Sequence, residues 1–170
     1  MCIIDSKFIN SLLIIERSII NFLEEQWIYL ILAYYANLDA VWEKAKKFDI
    51  GVDIIEIDRI RKAVDKNNRF LEKIFTDREI EYFNSKNFKA ESIAGNFAAK
   101  EAISKSIGTG IRVFNFKDIE VLRDEMGKPI VKTYNNLAKM CIDYNVLEIK
   151  VSISHSKDYA IANAITIIKD

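Results

Sequence analysis

The chain has little that would break or cross-link it. One proline and five glycines in 170 residues leave few obligatory turns. The two cysteines, Cys2 and Cys141, show no CxxC spacing and no cluster with the single histidine, His155. That argues against a zinc site or a disulfide framework, and two free thiols suit a reducing cytoplasm. Net charge is lacking as well, with 25 basic against 25 acidic residues. No global field favours nucleic acid, so an electrostatic partner has to be met by a local patch. What is present is apolar surface. Half of the residues are hydrophobic, and a domain of this length buries roughly 70% of its unfolded surface.

Residues 1–47 differ from the rest. They hold no Gly or Pro, and Leu12, Ile19, Leu23 and Leu30 recur at near-helical spacing. The longest apolar run, Trp27 to Ala36, is shorter than the ~20 residues a bilayer-crossing helix takes. Glu16 and Arg17 interrupt the early apolar stretch, which speaks against a signal peptide. The pattern predicts a helical N-terminal extension packed on a main domain, with an interfacial membrane helix as the alternative.

From residue 48 to 170 the pattern is mixed. Ile50, Val52 and Ile54 alternate with Gly51, Asp53 and Ile55, as in a strand. Helices are expected over 59–64, over 77–84 with Thr76 and Glu79 as a capping box, and over 91–107 with a stop at Gly108. Ile119 and Val121 fit a strand, 124–129 a turn, 130–132 a returning strand and 134–141 a helix. Leu147, Ile149, Val151, Ile153 and His155 share one face of a strand, 156–158 turn, and 159–168 return. Strands and helices mix without a regular βαβ repeat, which gives an α+β fold.

Three features carry chemistry. Asp53 lies in an apolar row with Gly51, Ile55 and Ile57, where a carboxylate is costly unless compensated. The ordinary alternative is an edge-strand aspartate in water. Gly51 hints that something approaches the backbone closely. Phe97, Glu101, Lys105 and Gly108 form one helical stripe that runs into Gly108-Thr109-Gly110. Glu101 and Lys105 have the spacing of a surface ion pair, but their neighbours are small and the turn's N–H groups suit phosphate oxygens. His155 ends a strand among Ser152, Ser154 and Ser156, a setting that leans towards polar recognition. Two carboxylates beside lysines and a phosphate-friendly loop fit Mg²⁺, whose shell substrate phosphates complete. That points to phosphoryl-type transfer without naming the substrate.

Gly51-Val52-Asp53-Ile54-Ile55-Glu56-Ile57-Asp58-Arg59-Ile60, Ile74-Phe75-Thr76, Phe97-Ala98-Ala99-Lys100-Glu101-Ala102, Ser104-Lys105, Gly108-Thr109-Gly110, Asp118-Ile119-Glu120-Val121, Gly127-Lys128-Pro129 and Ser152-Ile153-Ser154-His155-Ser156 occur in the order seen in holo-acyl-carrier-protein synthases. The region from about residue 48 to the C-terminus resembles that phosphopantetheinyl transferase family. The resemblance implies the family's fold, a mixed or antiparallel sheet packed on helices. It also implies Mg²⁺-dependent transfer of the 4′-phosphopantetheine of coenzyme A to a serine of apo-acyl carrier protein, in the cytoplasm and in support of fatty acid biosynthesis.

By the same resemblance Asp53 and Glu101 look like Mg²⁺ ligands, and Asp53, Glu101, Lys105 and His155 like the catalytic set. Lys100, Lys105, Gly108, Thr109, Gly110, Pro129, His155 and Ser156 look like the coenzyme pocket, and Arg59 and Arg69 like the surface that meets an acidic carrier. A homotrimer with shared active sites is implied, and neither nucleic acid nor membrane is expected as a partner. Two departures stand out. Asn96 takes the place of the family's usual Arg, and the leader is either an added element or the product of an upstream start. Two rival readings follow: a non-catalytic module that only holds coenzyme A or carrier, and a membrane-tethered enzyme.

Overall fold

The computed structural model describes residues 47–67 and 69–169. The expected helical extension lies outside the described residues except for Lys47, which opens the first strand.

Strand β1 (Lys47–Glu56) runs without a loop into helix α1 (Ile57–Lys66). The junction is tied down by the Ile57 amide, which donates to the Asp158 carbonyl at 2.9 Å. A short helix α2 (Phe70–Ile74), which the sequence pattern does not suggest, leads to α3 (Asp77–Ser85). The α3 start is the capping box read from the sequence. Thr76 Oγ1 accepts from the Glu79 amide, and Glu79 Oε2 accepts from the Thr76 amide.

Helix α4 (Ala90–Ile107) is the central rod, and Gly108 ends it in the left-handed conformation at φ 84°. Two single-turn 3₁₀ segments (Gly110–Arg112 and Phe116–Asp118) lead to the hairpin β2 (Ile119–Arg123) and β3 (Pro129–Thr133). Asp124 builds its turn, its Oδ1 accepting from the Met126 and Lys128 amides. Helix α5 (Asn135–Asp143) precedes the long antiparallel pair β4 (Val146–His155) and β5 (Tyr159–Ile168).

The larger sheet has the order β1-β5-β4, all antiparallel. Its inner face packs on α4 through small side chains. Ala160, Ala162 and Ala164 of β5 face Ala94, Ala98, Ala99 and Ala102 of α4 in the core. Gly51 shows how close this contact is. A Cβ built there would lie 2.0 Å from the Ala102 carbonyl oxygen and 2.6 Å from the Ser106 amide, so the close approach inferred from Gly51 is that of the α4 backbone.

One expected face is corrected. A register shift between Val146 and Glu148 breaks the alternation at the start of β4. Leu147 is therefore 51% exposed rather than aligned inward with Ile149 and Val151, and His155 is also exposed. No helix among the described residues is long and apolar enough to cross a membrane.

Candidate active site

The β1 pleat turns Gly51, Asp53 and Ile55 towards the interior, while Val52 and Ile54 face outward; Ile57, expected in the same row, is buried as the first residue of α1. Asp53 thus projects towards α4 with only 16% of its side chain exposed, unlike an edge aspartate in water. The close β1–α4 contact brings it to Lys105, whose ammonium donates to Asp53 Oδ1 at 2.7 Å and to the Val52 carbonyl at 3.0 Å. One turn back on α4, Glu101 faces the same opening. Asp53 and Glu101 together line a cavity of about 430 Å³, walled by Ile54, Ile55, Ile60, Ala63, Phe70 and Phe97, with Arg59 at its rim.

The electrostatics of this cavity are unbalanced. Burial pushes the Glu101 carboxyl above its ordinary pKa, the nearby Asp53 charge pushes it further, and Lys105 offsets only part. Among the described residues Glu101 makes no side-chain hydrogen bond, so its oxygens remain available. Two carboxylates on one cavity, one of them paired with an ammonium, suit a hard divalent cation. Arg59 and Lys105 add positive charge for an anionic substrate.

The other side of α4 is a closed polar cluster. Lys100 and Glu79 have no exposed side-chain surface, and their charges meet at 2.7 Å. The Lys100 ammonium also donates to the carbonyls of Ile74, Phe116 and Ile119 at 2.9, 3.0 and 2.6 Å. Glu79 accepts from the amides of Thr76 and Val121 and from Asn96 Nδ2. Burial raises the Glu79 pKa and lowers that of Lys100, and their mutual attraction opposes both shifts. Lys100 therefore lies away from the cavity, with every donor engaged inside. Its place beside coenzyme phosphates, implied by the sequence resemblance, is not where the fold puts it.

A family model described as the 4′-phosphopantetheinyl transferase superfamily matches residues 49–164. A holo-(acyl-carrier-protein) synthase of Clostridium perfringens is 57% identical over 120 residues, spanning 68% of this chain and 90% of that protein. Among solved structures, a holo-(acyl-carrier-protein) synthase of Bacillus anthracis in complex with CoA (3′,5′-ADP) superposes with TM-score 0.61 at 40% identity, covering 74% of this chain and 100% of that one. The Neisseria meningitidis synthase superposes at 0.66 with 31% identity, over 69% and 96% of the two chains. This chain belongs to the holo-(acyl-carrier-protein) synthase family.

The other residues picked out by likeness to the synthases are spread more widely. Gly108, Thr109 and Gly110 follow Lys105 at the end of α4, with Gly108 and Gly110 both at positive φ. Pro129 lines a different cavity of about 390 Å³ between β3 and β4. His155 and Ser156 sit exposed at the β4–β5 corner, where Ser156 and Tyr159 exchange backbone and side-chain hydrogen bonds. None of Pro129, His155 and Ser156 lines the Asp53 cavity. Arg59, singled out for the carrier surface, does line it, whereas Arg69 is exposed beside α2.

The departure at Asn96 takes on a different meaning in this synthase-family fold. Asn96 is fully buried, donates to the Val121 carbonyl and accepts from the Arg123 guanidinium at 2.9 Å. Position 96 thus points inward rather than to a phosphate or a carrier carboxylate. The guanidinium that meets it comes from β2 and lies over the Tyr82 ring. The sequence marks Glu79 only as a cap and does not single out Phe70 or Arg123. The Arg69-Phe70-Leu71 segment carries no distinguishing pattern, but an acid placed to cap a helix and facing an apolar strand was a readable signal.

Proposed function

We propose that this chain transfers the 4′-phosphopantetheine arm of coenzyme A to a serine of an apo-acyl carrier protein, leaving adenosine 3′,5′-bisphosphate. The observation that carries this is that Asp53 and Glu101 line one cavity while Lys105 pairs with Asp53 beside it. The carrier serine oxygen forms a bond to the phosphorus nearer the pantetheine, the pyrophosphate P–O bond to the adenosine side breaks, and the serine proton passes to a base, either a carboxylate of the cavity or a water. Asp53 and Glu101 would hold Mg²⁺, which when bound supplies charge neutralisation at the pyrophosphate. Lys105, half exposed beside Asp53, is free to turn its ammonium towards phosphate oxygens. Gly108, Thr109 and Gly110 offer backbone amides beyond it.

His155, Ser156 and Pro129 complete the coenzyme pocket in this proposal, reached from a neighbouring subunit of a homotrimer. Two observations support that assembly. The three residues do not line the Asp53 cavity within one chain. The outer face of β1 also exposes Phe48, Ile50, Val52 and Ile54 in one row, with Ile165 of β5 beside them, an apolar patch that a monomer would leave to water. Arg59 and Arg69 would meet the acidic carrier. The proposal takes residues 48–170 as the transferase domain and 1–47 as an extension, and it places the enzyme in the cytoplasm in support of fatty acid biosynthesis.

The internal pairing of Asn96 with Arg123 removes one motive for a non-catalytic binding module. The test is the mass of an apo-acyl carrier protein after incubation with coenzyme A, Mg²⁺ and the full-length or leader-deleted chain. Gain of one phosphopantetheine mass supports the activity. An unchanged carrier with both proteins, despite bound coenzyme, would return the chain to a binding role.

A further inference from the structure

Resting on the assignment of Asp53 and Glu101 as a metal pair, we propose that Lys100 is a positioning residue for the transfer reaction. Its buried ammonium locks the rotation of α4 that presents Glu101 to Asp53, and it fixes the aromatic wall of the same cavity.

The need for a lock follows from how α4 packs. Its contact with the larger sheet is made largely by Ala94, Ala98, Ala99 and Ala102 against Ala160, Ala162 and Ala164, with Gly51 allowing near backbone contact. Among the described residues its directional bonds to that sheet, Ser106 to Thr166 and Lys105 to Asp53 and Val52, all lie past Glu101 at the end of the helix. Apolar attraction is non-directional, and a surface of methyl groups offers few knobs to resist rotation or sliding. The Lys100 cluster is directional. One ammonium meets a carboxylate and three carbonyls, each from a different part of the chain: Glu79 of α3, Ile74 at the end of α2, Phe116 of the second 3₁₀ turn and Ile119 of β2. A rotation of α4 would pull a buried charge from all of these at once, and an unpaired buried charge is strongly penalised.

Glu101 is the next residue. Successive helix positions lie about 100° apart, since a turn takes 3.6 residues, so fixing Lys100 fixes the direction in which Glu101 leaves the helix. The same ammonium also holds the wall. It binds the Phe116 carbonyl, and the Phe116 ring lies 5.6 Å from Phe97, centroid to centroid. It binds the Ile74 carbonyl at the end of the short helix that starts with Phe70, whose ring stacks on Phe97 at 6.4 Å. Phe70, Phe97 and Glu101 line one cavity. Buried ion pairs are often replaceable by apolar groups without loss of stability, and the best-attested use of buried polar groups is to fix registry.

The test separates stability from positioning. Full-length wild type, Lys100→Met, the double variant Glu79→Gln with Lys100→Met, and Leu137→Ala as a core-destabilised control in α5 are compared. The probe is Mn²⁺ alone, titrated while the free ion is followed by electron paramagnetic resonance, with thermal unfolding measured in parallel. Lys100→Met is expected to unfold at lower temperature, and the double variant to recover most of that loss. Both are expected to bind Mn²⁺ about 10–100-fold more weakly, the range for loss of an outer-shell support, while Leu137→Ala binds as wild type does.

The double variant keeps the question measurable should Lys100→Met not fold. Wild-type Mn²⁺ affinity in the double variant would overturn the positioning role while leaving the metal pair intact. Wild-type protein whose Mn²⁺ binding is indifferent to Glu101→Gln would overturn the metal pair, and the positioning role with it.

Discussion

The two sides of α4 carry the same chemistry and put it to different uses. Lys100 with Glu79 and Lys105 with Asp53 are both lysine–carboxylate pairs, each at 2.7 Å. The first is sealed, every donor is taken, and the carboxylate receives further amide donors. The second opens on a cavity, half of the lysine is in water, and a second carboxylate, Glu101, waits with its pKa raised by burial and by Asp53. A saturated pair holds elements in place. An unsaturated group with surplus negative charge takes up something from outside. What divides structure from function along this helix is coordination and access, since residue type is shared.

The largest expected effect breaks the open side. Asp53→Asn or Glu101→Gln should lower carrier modification on the order of 10²–10³-fold, the scale for removing one preorganised electrostatic group, with the folded state retained by circular dichroism. Breaking the sealed side gives the opposite profile. Lys100→Met leaves Glu79 as an uncompensated buried charge and should cost about 3–5 kcal/mol in denaturant unfolding, most of it recovered when Glu79→Gln is added.

The contact that brings the two pairs onto one helix can be strained directly. Gly51→Ala places a methyl against the α4 backbone and should cost at least ~1–3 kcal/mol, as overpacking does. Transfer should fall too, since β1 carries Asp53.

A smaller effect follows from titration. The folded-state pKa of Glu101 is raised, so folding favours its protonated form. That contribution is fully present below the unfolded pKa of ~4.3 and is lost as pH rises through the folded value. With divalent ions chelated, Glu101→Gln should therefore melt above wild type at neutral pH, and the gap should close on acidification. No gap at pH 7 would mean that Glu101 is not held in a carboxylate-rich, desolvated site. Smallest is the salt effect. Arg61 and Lys62 are already engaged by Asp58, so Arg61→Ala should scarcely alter carrier binding. Arg59→Ala and Arg69→Ala should weaken it and flatten its decline with ionic strength.

Much of this was legible in the sequence because it depends on local rules. Alternation marked β1 and the final hairpin, Thr76 and Glu79 marked the start of α3, and Gly108 marked the end of α4. Asp53, Glu101 and Lys105 emerged as a group because a carboxylate in an apolar row and a stripe running into a glycine turn are unusual. The rest depends on helix rotation, which local patterns do not set. Lys100 and Glu101 are adjacent letters, and α4 is so rich in alanine that its buried side cannot be told from its open side. The role of Asn96 is hidden for the same reason, since no local pattern shows that it packs inward against Val121 and Arg123. Leu147 was misplaced because a one-residue shift in β4 reverses which side chains face in.

The central claim is that one divalent ion sits between Asp53 and Glu101. Crystals of the full-length chain grown with Mn²⁺ and coenzyme A, with an anomalous difference map at the manganese edge, test it most directly. The account predicts a peak touching both carboxylates and an oxygen of the coenzyme pyrophosphate. A manganese peak ligated by neither Asp53 nor Glu101, with coenzyme bound, would contradict it.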